Sequence, residues 1–381
     1  MATVAFFYQV AALLFTILVF VSFVRGTRGV PSPPEPRTRR GPVSGLSVVL
    51  VLDAEADAEH CVAALLAQDY PKLQLVVVLA GALVDKTTRA RLEADPRVRL
   101  LELGDPPVGW MRKNAAFAEG FAQVQHDYVL FIDSDVLLKP FGVERALRLA
   151  KQRGADLLTI FPALTATSPT ERLMVPFFLQ LVLTGVSMHN INDPKSDAAG
   201  GFAPFFLFRS VVYEALGGHA ALRADRFSES TLAQSIKDQG YRLLIANGTE
   251  LAILLGQSSL RDIWRSWGKS FNATIGNDTR QAALVGAVVF AVFALPWLLV
   301  VLAVARIATA PETLADSPWV GAVIVGAANI ILGLYHRRAL RNLLDIDDSL
   351  AWMQPLAATI AALMIFASSL HLEGRHGVRL R

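Results

Sequence analysis

The sequence predicts an α/β domain with a mainly parallel sheet, flanked by membrane helices, and three observations carry that expectation. From residue 46 to about 275, short runs of Val, Leu and Ile alternate with amphipathic stretches, as strands joined by crossover helices do. The 381-residue chain is 53% hydrophobic with a mean hydropathy of +0.42, too apolar for an ordinary soluble protein. One apolar strand, YVLFIDSDVLL from Tyr128 to Leu138, ends in two carboxylates, Asp133 and Asp135. Carboxylates are costly to bury unless paired or bound to a cation. Open α/β sheets hold their ligands beyond the carboxyl ends of parallel strands, so this position suits a metal site.

The elements follow in order. VAFFYQVAALLFTILVFVSFV, Val4 to Val24, carries no charge and is long enough to span, so residues 1–27 read as a transmembrane anchor and not as a cleaved signal peptide. Arg25, Arg28, Arg37, Arg39 and Arg40 follow, the last four in a Pro- and Arg-rich linker over 28–45. Positive residues stay on the cytoplasmic side, which puts the N-terminus outside and the domain over 46–275 in the cytoplasm. That domain opens with the strand LSVVLVL, the helix AEHCVAALLAQ, the strand LQLVVVLA, the helix KTTRARLEA and the strand VRLLEL. GWMRKNAAFAEGFAQV then supplies a turn and a helix that feed the carboxylate-tipped strand. The single cysteine, Cys61, excludes an intramolecular disulfide framework and a multi-cysteine metal site, and reads as a small packing residue.

The stretch over about 170–188 is strongly apolar with Pro176 inside it. It reads either as an interfacial amphipathic helix, able to present a lipid-borne hydroxyl to the domain, or as a buried helix of the domain core. The C-terminal region, 276–372, holds three apolar runs at 282–305, 317–335 and 350–370, which give two to three transmembrane helices. Pro296, within the first, is tolerated in a span. If all three cross, HRRALR is cytoplasmic, as the positive-inside rule requires, but the basic tail over 373–381 lies outside. Either the last segment is re-entrant or interfacial, or the tail breaks the rule. The formal charge is only +3, with cations beside the apolar runs, a pattern of membrane topology and not of nucleic-acid binding. The spans carry no internal charges, which disfavours a transporter. Three Asn-x-Ser/Thr sequons, at Asn247, Asn272 and Asn277, are expected to face the cytoplasm unglycosylated.

The succession of QDYP, GWMRKNAAFAEG, FIDSDV, the long stretch around GGHAALRADRFSESTLA, and LRDIWRSWGKSFNATIG resembles the membrane-bound family 2 glycosyltransferases of the GT-A fold. Within them it is most similar to the carotenoid (hydroxychlorobactene-type) and ceramide-type glucosyltransferases, and the resemblance runs over nearly the whole chain. It implies a nucleotide-diphospho-sugar transferase at the bacterial inner membrane. Such an enzyme is metal-dependent and inverting, with a UDP-sugar as donor and a membrane lipid as acceptor.

The resemblance also assigns residues. Asp135 takes the metal, and Asp133 the donor ribose or the metal; Mg2+ or Mn2+ suits hard carboxylate ligands and bridges the departing phosphates. In a strand, the two carboxylates of x-D-x-D fall on one side. Lys113 and Asn114 belong to the turn beside the donor, where Arg112 replaces the family's second glycine. Asp53 stands where the family has asparagine and could hydrogen-bond a uracil edge. Glu229, in SESTLA, falls at the aspartate of the family's Glu-Asp-x-x-Leu-Ala pattern and is the candidate base, with Asp225 behind it. His219 could polarise the acceptor or approach the metal. Trp264, Trp267 and Lys269 stand near the family's Gln/Arg-x-x-Arg-Trp signature and equally suit a membrane interface. The second strand departs from the pattern: it ends in Ala80-Gly81 where the family has Asp-Asp, and the next acid is Asp85. A catalytically degenerate relative that binds lipid or a partner is therefore the competing reading.

Overall fold

A computed structural model describes residues 1–36, 43–53, 58–81, 84–201, 205–226, 228–256, 259–264, 267–268, 278–309, 317 and 319–373. In chain order the elements begin α1 (Ala2–Thr27), β1 (Leu46–Asp53), α2 (Ala58–Leu66), β2 (Leu73–Ala80), α3 (Lys86–Ala94), β3 (Val98–Glu102) and α4 (Arg112–Phe121). They continue β4 (Tyr128–Asp133), β5 (Val136–Leu138), α5 (Gly142–Arg153), β6 (Leu157–Leu164), α6 (Pro169–Gly185), α7 (Met188–Asn192), β7 (Phe205–Arg209) and α8 (Ser210–Ala215). Last come α9 (Gly218–Ala221), α10 (Ser228–Asp238), β8 (Leu243–Leu254), α11 (Thr279–Phe293), α12 (Leu295–Thr309), α13 (Val320–Leu344) and α14 (Gln354–Glu373).

The chain forms two units. The polar one comprises Thr27–Thr165 and Ser187–Leu255; the apolar one comprises Met1–Gly26, Ala166–Val186 and Gly256–Arg381.

The polar unit is a mixed α/β domain around one sheet of eight strands, ordered β3-β2-β1-β4-β7-β6-β8-β5. Its first half is parallel: β1 pairs with β2 and β4, and β2 with β3. All eight residues of β2 are buried, which is why it reads as an unbroken apolar run: a parallel strand is covered on both faces. One face, with Leu46, Val48, Leu50 and Leu52 of β1 and Leu75, Val77 and Leu79 of β2, packs on Cys61, Val62 and Leu65 of α2. The register aligns Asp53 with Ala80, and Val51 with Asp133, so the carboxyl ends of β1, β2 and β4 share one edge. The second half of the sheet is mixed, because β7 runs antiparallel to both β4 and β6.

One expectation changes. Strand β4 ends at Asp133, the chain turns at Ser134-Asp135, and β5 goes on to pair with β8 at the far edge. Strand β7 accompanies β4 only from Tyr128 to Ile132, so nothing on that side continues the ladder past Asp133. Asp133 and Asp135 therefore do not share a strand face. The described part of the Pro-rich segment packs on the domain. Buried Arg145 donates to the carbonyl of Pro34 at 2.8 Å, and the Asn247 amide donates to Pro31 at 2.9 Å, tying that segment to the domain.

In the apolar unit, α1 and α13 are each long and apolar enough to cross a membrane, and the pair α11–α12 makes a third candidate bent by 42°. The bend falls at the proline within the apolar run over 282–305. Pro296 has no amide hydrogen and its ring crowds the carbonyl four residues earlier, so the helix breaks at Ala294. The carbonyl of Pro296 accepts a bond from Gln9 Nε2 of α1 at 2.9 Å. A buried cluster joins Leu173, Met174, Phe177 and Phe178 of α6 to Ala282, Val289 and Phe293 of α11 and to Ala357, Ala358 and Ala361 of α14. The small residues let the helix backbones approach closely. The third apolar run of the C-terminal region lies mostly in α14, and the basic tail from 374 lies outside the described residues.

Helix α4 sits against the sheet through Gly120. A Cβ there would meet Val49 Cγ1 at 2.4 Å and Val78 Cγ2 at 3.2 Å. Gly120→Ala should destabilise the domain by about 1–3 kcal/mol through overpacking. Denaturant unfolding of the purified protein checks this, and an unchanged midpoint would contradict the packing described.

Candidate active site

Three chain segments meet at the carboxyl end of β4. The first is β4 itself, which ends at half-buried Asp133. The second is the start of α4, whose second residue is Lys113 and third is Asn114. The third is the start of α10, which places Glu229 in the first helical turn, where the positive end of the helix dipole favours a carboxylate. Lys113 Nζ lies 2.7 Å from Asp133 Oδ2 and forms a second ion pair with Glu229 Oε1. One ammonium thus clamps the strand-end carboxylate to the candidate base.

The electrostatics follow from that clamp. Burial alone would pull the Lys113 ammonium's pKa down, but Asp133 and Glu229 hold it above its ordinary value. Burial alone would raise that of Glu229; the charge and bond of Lys113 outweigh it and keep the carboxyl below the usual glutamate range. Held this way Glu229 is ionised but a weak base. Anything that draws Lys113 away strengthens it.

Asn114 has a different task from contacting a donor. Its amide donates to the carbonyls of Leu222 at 2.6 Å and Asp225 at 2.8 Å, and its oxygen accepts from the Ser228 hydroxyl at 2.9 Å. Both amide hydrogens are committed, so this buried side chain fastens the segment carrying Glu229 onto α4. Ser228 takes part in the same fastening. Asp225 accepts from the Thr231 hydroxyl at 2.5 Å, a bond within the same segment.

His219 is buried, 2% exposed. The Tyr213 hydroxyl accepts the His219 backbone N–H at 2.9 Å and lies 2.6 Å from Nδ1. Burial pushes the phenol's pKa up, so the hydroxyl stays protonated, and where it donates to Nδ1 the imidazole proton stands on Nε2. Nε2 has no hydrogen-bond partner among the described residues. His219 lines a small cavity with Phe117, Phe131, Phe206, Asp133 and Glu229, so a buried donor accompanies the two carboxylates there. Close approach at Gly218 makes this possible: its φ is +51°, and a Cβ would strike the Tyr213 ring at 2.4 Å. Nothing in the sequence pattern links Tyr213 to His219; the glycine pair between them is the only local signal.

The other expected residues are placed as follows. Asp135 is exposed in the turn after Asp133. Asp53 ends β1 at the same edge, and its side chain lies outside the described residues. Ala80 is buried, and Asp85 caps α3 by accepting from the amides of Thr87 at 2.8 Å and Thr88 at 3.0 Å, so it does not replace the missing acidic pair. Arg112 donates to Asp105 at 3.0 Å, and its guanidinium lies within 3.8 Å of where a Gly81 Cβ would stand. The Arg112–Asp105 pair therefore borders Ala80-Gly81. Trp264 packs on the buried cluster of the apolar unit, and Trp267 stacks on Phe178 at 4.8 Å. Lys269 lies outside the described residues. Among the described residues no group of three or more His, Cys, Asp or Glu could hold a metal unaided. The donor set instead offers two carboxylates, and Mg2+ commonly takes one or two with the remainder from substrate phosphates and water.

Residues 48–214 match the family model described as glycosyl transferase family 2. No curated protein matches the chain significantly. Among solved structures it is similar to the mannosyltransferase PcManGT from Pyrobaculum calidifontis, solved in complex with GDP-Man and Mn2+. The identity is 16% and the TM-score 0.51, over 98% of this chain and 99% of that one, a likeness of fold. The family match ends before His219 and Glu229, so any role for these two rests on where the fold puts them.

Burial pushes the imidazole of His219 down to about 4 from 6.5, with the charge of Glu229 opposing and that of Lys113 assisting. A depressed histidine pKa means that the unfolded chain binds the extra proton first. Its contribution to stability is present above 6.5 and is lost as pH falls towards 4. Thermal melts of wild type and His219→Phe across that window should diverge, wild type losing stability more steeply; parallel curves would refute the buried neutral imidazole.

Proposed function

We propose that the chain transfers a sugar from a nucleotide-sugar donor to a lipid hydroxyl at the membrane, with inversion at the anomeric carbon. The Lys113 clamp between Asp133 and Glu229, at the carboxyl edge of a parallel sheet, is the observation that carries this reading. The edge is where open α/β sheets bind ligands. The family match runs from within β1 through all but the last residue of α8 and so includes the Asp133-Ser134-Asp135 turn.

In this proposal Asp135, the exposed member, and Asp133 would hold Mg2+ or Mn2+, which when bound neutralises charge on the departing diphosphate. Lys113 exchanges part of its contact with the carboxylates for a donor phosphate. Released from that field, Glu229 becomes a stronger base and takes the proton of the acceptor hydroxyl. The hydroxyl oxygen forms its bond to the anomeric carbon as the carbon–oxygen bond to the diphosphate breaks, its electron pair leaving with the nucleoside diphosphate. His219 offers its Nε2 hydrogen to a sugar or acceptor oxygen in the adjoining cavity. Asn114 acts as a positioning residue through the segment it fastens.

The lipid acceptor is supported by the candidate spans and by the chain's composition. The finer reading is a bacterial inner-membrane enzyme of the carotenoid and ceramide-type subgroup, with its domain over 46–275 in the cytoplasm. It rests on the basic residues after α1 and on the motifs quoted above. A uracil contact by Asp53 belongs to the same reading. PcManGT was solved with GDP-Man, so a guanine nucleotide is tested beside a uracil one. The degenerate alternative is favoured by one observation, Ala80-Gly81 bordered by Arg112.

Radiolabelled UDP-glucose and GDP-mannose, each offered with membrane lipid extract and Mn2+, should yield labelled lipid from one donor. Asp135→Ala and Glu229→Gln should each lower kcat by about 100-fold or more, and chelation should abolish transfer until Mg2+ or Mn2+ is restored. Failure of the purified protein to bind any nucleotide sugar would eliminate the enzyme. A second measurement addresses the clamp. In Lys113→Met the acid limb of kcat/KM should move to higher pH, because burial of Glu229 is then unopposed by the ammonium; an unmoved limb would remove Glu229 from the role of base.

A further inference from the structure

Helix α13 does not end at Tyr335 but continues to Leu344, and it carries His336 and Arg337 into its buried stripe with Gly333, Leu340 and Leu344. Arg337 is 1% exposed, and none of Nε, Nη1 and Nη2 has a hydrogen-bond partner among the described residues. Arg337 lies just beyond the apolar run over 317–335, on the same helix. An arginine stays protonated and presents five N–H donors, and burying them without acceptors costs several kcal/mol. The nearby carboxylates are engaged elsewhere: Asp347 pairs with Arg172 at 3.3 Å, and Asp348 pairs with Arg341 at 3.1 Å. His336, also fully buried, adds a donor. Its Nδ1 lies 3.1 Å from Gln180 Nε2, which donates to it, so the ring proton stands on Nε2, again without a partner. The ring is fixed by Phe23 at 4.6 Å and Phe20 at 5.6 Å. The apolar unit thus holds buried donors with a net positive charge, and the orphaned acceptors it also holds, the amide oxygens of Gln9, Gln180 and Gln354 and the Ser317 hydroxyl, are all neutral.

We propose that Arg337, with His336 beside it, is the anchor of a phosphate-binding site in the apolar unit. The planar guanidinium fork matches two phosphate oxygens at once, and a phosphate has further oxygens for a second donor where a carboxylate has none. Arg337 lies roughly 25 Å along α13 at 1.5 Å per residue, near the far end of a span. That is the depth at which a lipid phosphate or a free phosphate from the adjoining water could reach it. Exposed Arg338 and Arg341 continue the cationic surface there. This site stands whether or not the polar unit transfers sugar.

The test uses the full chain in neutral detergent. Dioctanoyl phosphatidic acid, inorganic phosphate and neutral dioctanoylglycerol are titrated separately while Tm is followed, since a ligand bound only by the folded state raises it. The phosphatidic acid, the phosphate, or both should raise Tm in wild type, and the neutral lipid should not. A shift from the lipid alone identifies a headgroup site, and a shift from both identifies a site for the phosphate itself. Arg337→Met should lose the shift while its ligand-free Tm is equal or higher, because a buried unpaired charge has been removed. Should that variant not accumulate, Arg337→Lys, which keeps the charge but not the fork, should bind about tenfold or more weakly. No anion-dependent shift in wild type, or the same apparent affinity in the variants, overturns the site.

Discussion

The arrangement at the sheet edge depends on one interaction, the Lys113 ammonium between Asp133 and Glu229. Two carboxylates this close repel and would each resist burial; the intervening cation lets both remain ionised in a half-buried site. The clamp joins segments remote in sequence, the end of β4 and the starts of α4 and α10. It needs a second fastening to hold its geometry, which Asn114 supplies by binding two carbonyls and one hydroxyl of the segment before α10. Removing that amide would leave the ion pair intact in composition but free in position, and reaction geometry is sensitive to displacements of an ångström.

Much of the polar unit was legible because parallel strands buried on both faces must be continuous apolar runs. LSVVLVL and LQLVVVLA could hardly form anything else beside the amphipathic stretches that follow them. What stayed hidden is set by pairing and not by composition. The run Tyr128–Leu138 looks like one strand, yet its second half pairs with β8, a partner more than a hundred residues away. The same applies to the site. Asp133, Lys113 and Glu229 stood out as charged residues in suggestive places, whereas Tyr213 and the fastening role of Asn114 emerge only once the turn at Gly217-Gly218 and the segment before α10 are folded.

The apolar unit shows the opposite balance. Hydropathy alone found α1, the region of α11 to α13, and α14, since a span requires about 20 apolar residues. It could not show that Pro296 breaks its segment or that α13 runs past the basic residues at its end. Arg337 illustrates why. Its neighbours His336, Arg338 and Arg341 suggest an exposed cap, and a helix turns 100° per residue, so adjacent cations face different environments. Arg338 and Arg341 are exposed, while Arg337 points into the stripe that packs.

The loss of the acidic pair at Ala80-Gly81 gains a physical sense from the charges that remain. Asp133, Asp135 and Glu229 against Lys113 leave two negative charges at the edge before any ligand arrives. A nucleoside diphosphate adds more, so an additional Asp-Asp at the end of β2 would deepen the repulsion and make tight cation binding a condition of donor binding. With Ala80 and Gly81 there, that strand end adds no carboxylate, and the Arg112 guanidinium that borders it is paired with Asp105. Under the proposed function, the absence of acids there would change how a donor is held, while a bound cation would still serve the leaving group.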